Sequence, residues 1–227
     1  MLLPVAVLIP LASLALWRIA LLTGSPAPHG LWHQAWTAFD IGAEGTVVVW
    51  YAASLWLLLG LLAALAAVLA PRHRLSWWLF AAVCTVAAAD EAAALHERML
   101  FLGDRLRPYV PFDVHYSWVI PGTIIAIVVA ALLARLVLAL RRRVTLTLVV
   151  AGTLFLLGAL VIETLTGFVE RDHGGFSDTY VVLTYVEEAC ELVGVSLAVV
   201  GLASMFPTRR EGGVLSVRFD GYRRRAA

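Results

Sequence analysis

Apolar runs of membrane-spanning length alternate with short polar breaks along the chain. They fall at about residues 3–23, 45–70, 76–101, 116–140, 144–169 and 180–206. About 20 apolar residues suffice for one helix to cross a bilayer. The breaks carry turn and charge signals: Ser25-Pro26-Ala27-Pro28, then Pro71 to Arg74, then Asp104 to Asp113 with Pro108 and Pro111. Arg141-Arg142-Arg143, then Glu170 to Asp178 with Gly174-Gly175, and finally Pro207 complete the series. Proline cannot continue a helix, and glycine and charge mark its exposed ends. The pattern predicts an all-α fold: a six-helix transmembrane bundle over residues 1–206, followed by a basic tail, 207–227. Between the first two runs, Trp32, Trp36 and Phe39 recur at helical spacing, which predicts a short interfacial helix at 29–40.

Composition agrees. Of the 227 residues, 61% are hydrophobic and 15% charged, whereas a soluble domain carries about 25% charged residues. The excess apolar surface is expected to face membrane lipid, the partner this composition implies. No basic stripe interleaved with aromatics is present, so a nucleic-acid partner is not expected. The first run has no basic residues ahead of it and no small-residue cleavage site after it, and reads as a spanning helix rather than a leader. Cys84 and Cys190 lie in apolar runs at different depths and are expected to be free thiols.

All 17 basic residues are arginine, and they sort by loop. Alternate connections carry Arg72 and Arg74, then Arg141, Arg142 and Arg143, then Arg209, Arg210, Arg218 and Arg223 to Arg225. The others carry only Arg105, Arg107 and Arg171, each beside an acid. The positive-inside rule then places both termini in the cytoplasm of a multi-pass protein of the cell's inner (plasma) membrane. Close helix contacts need small residues. Ala87 to Ala89 and Ala92 to Ala94, Gly152 and Gly158, and Gly194 and Gly201 offer them in the third, fifth and sixth runs.

Charge also occurs where lipid is expected. The third run carries Asp90, Glu91, His96, Glu97 and Arg98, the fifth Glu163 and Glu170, and the sixth Glu187, Glu188 and Glu191. A charge at a helix centre costs at least about 2.5–3.5 kcal/mol, so such residues mark function by default. At 1.5 Å per residue, Asp90, Glu91, Glu163, Glu187, Glu188 and Glu191 fall in one layer about 6 Å thick in the outer half of the bilayer. If the third run is helical to its end, Asp90 shares a stripe with Glu97, and Glu91 faces Arg98 as a salt bridge. Thr184 shares the face of the sixth-run acids. Glu97, Glu170 and Asp172 read as solvated helix ends, and His115, Tyr116 and His173 as ordinary rim residues. His29 and His33 are four apart, which suits a metal, but a polar interfacial face explains them as well.

The stretch Asp90-Glu91-Ala-Ala-Ala-Leu-His96-Glu97, with Glu187-Glu188-x-x-Glu191, resembles an uncharacterised group of bacterial multi-pass membrane proteins with a D-E-A-x-x-x-H-E stretch. That resemblance implies no activity. The ceramidase and adiponectin-receptor hydrolases have seven spans and a zinc held by three histidines. Six spans without H-x-x-x-H on any of them depart from that pattern.

Six carboxylates in one dry layer cannot all stay charged unaided. Protonation, arginine or a divalent cation must relieve them. The leading expectation is a metal-dependent enzyme acting on a lipid or other apolar small molecule. Its cation would be held by Glu163, Glu187 and Glu191 with Asp90 or Glu91, and His96 or Glu188 would be general acid or base. The alternatives are a proton- or cation-coupled transporter and a structural or assembly subunit. The first lacks obvious polar groups in the inner halves of the helices.

Overall fold

A computed structural model describes residues 2–23, 30–111, 114–175 and 177–223. The expected turn at Ser25 to Pro28, His29, Asp113 and the arginines 224 and 225 lie outside the described residues.

Among the described residues up to 206 the regular elements are helices, apart from an isolated bridge between Leu140 and Tyr222. Helix α1 is Leu2–Leu22, α2 Leu31–Phe39, α3 Val47–Leu69 and α4 Arg74–Ala93. After a short α5 (Leu100–Leu106) come α6 (Val119–Ala139), α7 (Arg142–Leu156) and α8 (Glu163–His173). The last two are joined without a break by a π-helical stretch, Leu157–Ile162. Helix α9 is Asp178–Ala203. Five segments are long and apolar enough to cross a membrane: α1, α3, α4, α6 and the continuous 142–173 helix. Helix α9 matches them in length, but Asp178, Glu187, Glu188 and Glu191 interrupt its apolar character.

Capping sets several boundaries. Thr46 accepts from the Val49 N–H to start α3, and Ser177 accepts from the Tyr180 N–H to start α9. Each satisfies one of the donors that a helix N-terminus leaves unpaired. The third apolar run differs most from expectation. Its helix stops at Ala93, and Ala94 adopts a left-handed conformation at φ 45°. For a residue other than glycine that conformation costs about 1–2 kcal/mol. The stop leaves His96, Glu97 and Arg98 off the helix. The expected Asp90–Glu97 stripe therefore does not form, and among the described residues Glu91 makes no ion pair with Arg98.

Helix α9 is the hub, packed on α1, α3, α7 and α8, while α3 and α4 form a close hairpin. Gly194 allows this: a Cβ there would lie 2.8 Å from the Ala151 carbonyl and 2.9 Å from the Phe155 amide of α7. Gly152, expected to serve the same purpose, faces open space instead. Of Ala87 to Ala89 and Ala92 to Ala94 only Ala88 is buried. The main core gathers Leu59, Ala63, Trp77, Cys84, Leu136, Val144, Val199, Leu202 and Met205 toward the arginine-bearing connections. Cys84 and Cys190 are free thiols.

The basic tail is partly structured. Strands β1 (Thr208–Glu211) and β2 (Val214–Val217) pair antiparallel, Thr208 opposite Val217. They turn at Gly212 and Gly213, both at positive φ, as a two-residue hairpin turn demands. Phe219 and Tyr222 then fold back onto the core. The Tyr222 hydroxyl accepts from Trp77 Nε1 at 3.1 Å and donates to the Arg72 carbonyl. Arg141 pairs with Asp220 at 3.2 Å, and Arg223 donates to the Leu140 carbonyl. This clasp ties the α3–α4, α6–α7 and C-terminal connections together, so much of 219–223 is docked rather than lying loose on lipid. Tyr222→Phe leaves the buried Trp77 N–H unpaired and is expected to cost about 1–3 kcal/mol. Thermal unfolding of solubilised protein reads this, and an unchanged transition would contradict the clasp.

Candidate functional site

The end of the bundle opposite the arginines holds the acids, and the break at Ala94 organises one side of them. Once the helix stops, the chain doubles back so that the His96 N–H donates to Asp90 Oδ1 at 2.6 Å, with His96 Nδ1 3.2 Å from Asp90 Oδ2. Burial works against a charged imidazole here. The Asp90 hydrogen bond and charge, with Glu163 and Glu97 behind them, outweigh it and hold His96 above its usual 6.5. The ring also stacks at a tilt on Trp118, centroids 4.6 Å apart. Trp118 Nε1 donates to Glu163 Oε1 at 3.1 Å, which joins α4, the start of α6 and α8 in one polar chain.

A raised histidine pKa means that the folded state holds the proton more tightly than the unfolded chain. Its contribution is complete below the ring's ordinary 6.5 and disappears as pH rises through the higher folded value. The unfolding temperature is therefore expected to fall as pH rises from about 6 to about 8, and less so in His96→Gln. Equal slopes in the two proteins would contradict the His96–Asp90 pairing.

Glu163 and Glu187 form the centre. The Glu163 charge acts on the Glu187 carboxyl across the α8–α9 contact. Thr166 Oγ1 lies 3.1 Å from Glu187 Oε2 and 2.9 Å from the Ile162 carbonyl. Glu187 is buried, and Glu163 partly so. The π-helical stretch supports the arrangement. The Glu163 N–H reaches back to the Gly158 carbonyl, and the Thr164 hydroxyl donates to the Leu160 carbonyl. Gly158 itself lies against α9, where a Cβ would come 2.8 Å from both the Glu187 carbonyl and Glu191 Cγ. π-Bulges of this kind are frequent at functional sites.

Deeper, Glu91, Glu188 and Glu191 line a small cavity of about 10 Å³, closed by Trp56, Phe155 and Leu192. That is room for about one water. Trp56 and Phe155 meet edge to face at 5.0 Å. Among the described residues no arginine pairs with Glu91, Glu163, Glu187, Glu188 or Glu191. At the mouth, burial pushes the Glu44 carboxyl up and Glu97 and Asp90 add to the rise, while His96 opposes it. Glu188 feels the charge of both Glu44 and Asp40.

The expected acids thus come together, but not around one point. Asp90 is engaged by His96, Glu163 acts on Glu187, and Glu91, Glu188 and Glu191 share the cavity. Among the described residues no three His, Cys, Asp or Glu side chains converge so as to hold a metal ion. The expected divalent site is therefore not supported. His33 lies edge-on to Trp36 at 5.6 Å. Glu170, expected as a solvated helix end, and Tyr116 and His115, expected as ordinary rim residues, form a cluster: Tyr116 donates to Glu170, and His115 Nε2 lies 3.5 Å from it. Sequence reasoning also missed Trp118, Thr166 and Glu44. The acid pair Asp40 and Glu44 just ahead of a spanning run was the available signal for Glu44. Nothing local marks Trp118 or Thr166.

Compared with known proteins, a family profile matches residues 2–206; its description is a domain of unknown function, DUF8692. No curated protein matches, and no solved structure matches.

Proposed function

The chain belongs to the DUF8692 family, and from that premise we propose a proton- or cation-coupled carrier of the plasma membrane. In this reading α1, α3, α4, α6, the 142–173 helix and α9 are six spans with both termini cytoplasmic. The acid pocket then lies in the outer half of the bilayer, and the arginine-rich end faces the cytoplasm as the positive-inside rule favours. The observation that carries the reading is the gathering of Glu163, Glu187, Glu188, Glu191 and Glu91 on α4, α8 and α9, with no arginine paired to any of them among the described residues. Carboxyls that share protons inside a membrane serve proton relays and cation sites. The apolar core toward the arginine end acts as the closed half of an alternating-access cycle, in which one side is shut while the other loads.

The lipid-acting metal enzyme is the weaker reading, because its ligands are divided among three groups. Protein in vesicles with an enclosed pH indicator tests the choice. A pH gradient is expected to drive proton flux that vanishes in Glu163→Gln. The absence of flux in wild type, with a divalent ion retained by wild type and lost in Glu163→Gln, would replace the carrier with the enzyme.

A further inference from the structure

We infer that the groove between α1, α7 and α9 holds one acyl chain of a phospholipid whose phosphate is met by Arg18. This goes beyond the carrier reading and does not depend on it. The groove has a volume of about 420 Å³ and an almost wholly apolar lining. Leu11 and Leu14 form one wall, Leu154 another, and Val186, Ala189 and Cys190 the back. Ligand pockets commonly fall between about 300 and 1,000 Å³.

The sequence builds this groove. Helix α1 meets α9 through small residues: Ala6 shares a core cluster with Leu192, and Ser13 Oγ lies 3.0 Å from the Tyr185 hydroxyl. The two helices therefore run antiparallel, and α1 ends on the acid-bearing side of the bundle. The Ser13–Tyr185 bond pairs the hydroxyls at the groove's edge. At 100° per residue, Val186, Ala189 and Cys190 lie on the face of α9 opposite Glu187, Glu188 and Glu191. One face of the helix thus carries the acids and the other meets the lipid.

Arg18 supplies the charge. It stands one turn beyond Leu14 and two turns beyond Leu11, on the same stripe of α1. The helix ends at Leu22, about 6 Å further on, and from that depth an arginine extends its head to the interface. Arg18 is exposed, its guanidinium 4.8 Å from the Trp17 ring centroid, and among the described residues it makes no ion pair. A guanidinium meets phosphate oxygens through paired N–H donors. A partner helix suits the groove less well. From Tyr185 to Val193 the groove follows α9 for about 12 Å. A helix is about 10–12 Å across with its side chains, too broad for 420 Å³ spread over that length.

The test uses full-length protein in maltoside micelles, titrated with phosphatidylglycerol that carries a photoactivatable diazirine midway along one acyl chain. Label is expected to concentrate on residues 11–14 and 186–193, above its level on the exposed Ile124, Ile127 and Val128 of α6. Arg18→Gln, a change to an exposed side chain, is expected to raise the half-saturating lipid concentration about fivefold. Diacylglycerol with the same diazirine chain lacks the phosphate and is expected to bind wild type about as weakly as phosphatidylglycerol binds Arg18→Gln. Ala189→Phe, which fills the groove, is expected to lose the groove label and keep the α6 label; Arg18→Gln decides if that variant does not fold. Label spread evenly over α1, α6 and α9 would reduce the groove to ordinary lipid-facing surface and overturn the site. Equal half-saturation in wild type and Arg18→Gln would overturn the phosphate contact. An unlabelled groove in protein that migrates as a dimer would give the face to a second copy and overturn the lipid.

Discussion

Glu187→Gln is expected to leave the bundle folded and to abolish proton uptake by the pocket. The amide keeps the shape of the carboxyl. It can still accept from Thr166, the partner at 3.1 Å, and its amide can donate toward Glu163. The stability change is then expected to stay within about 1 kcal/mol, the net worth of a typical buried hydrogen bond. What the amide cannot do is exchange a proton. Glu187→Leu separates the two roles: it also leaves Thr166 and Glu163 facing an apolar side chain, which costs about 1–3 kcal/mol or more. Thermal unfolding and vesicle proton flux, measured on both variants, give the comparison. Full flux in Glu187→Gln would show that this carboxyl carries no proton of consequence.

Gly158→Ala is expected to damage the fold and the carboxyl pocket together. The added Cβ would sit 2.8 Å from the Glu187 carbonyl, a backbone atom that cannot yield without moving α9. It would also lie 2.8 Å from Glu191 Cγ and 3.4 Å from Cys190 Cβ. Overpacking of this kind costs about 1–3 kcal/mol and at times more. Here the strain falls on the segment that aligns Glu187, Glu188 and Glu191, so stability and proton uptake are expected to fall together. Gly152→Ala provides the contrast: its Cβ meets nothing within 4 Å, and helix propensity alone favours alanine there by about 1 kcal/mol. Similar melting of the two variants would contradict the close contact at Gly158.

The spans were legible because a bilayer imposes length and apolarity on each helix separately, and both are visible in a single run of sequence. The stop at Ala93 was not. Ala94 has no glycine to announce a left-handed turn, and the apolar pattern continues through Leu95 and Leu100. The Asp90 carboxylate takes the His96 N–H six residues on, in place of a continued helix. Depth along the spans was legible in the same way, from counting residues, and it correctly brought Glu91, Glu163, Glu187, Glu188 and Glu191 to one end. Azimuth was not, since a π-helical stretch between residues 157 and 162 rotates Glu163 relative to an ideal helix. That rotation, with the Ala94 stop, divides the acids into separate groups where wheel counting had offered one metal site. The Tyr116–Glu170 contact depends on Gly167 letting two segments distant in sequence touch. No local pattern records such a contact.

Coupling between α8 and α9 carboxyls is the point on which the pocket stands. The most direct measurement is the infrared frequency and titration of the protonated-carboxyl band that Glu187→Gln removes, recorded in wild type and in Glu163→Gln. If the two side chains share a proton, the band shifts and its titration changes when Glu163 becomes an amide. A band unaltered in both respects would mean that Glu187 titrates alone, and the shared pocket would have to be abandoned.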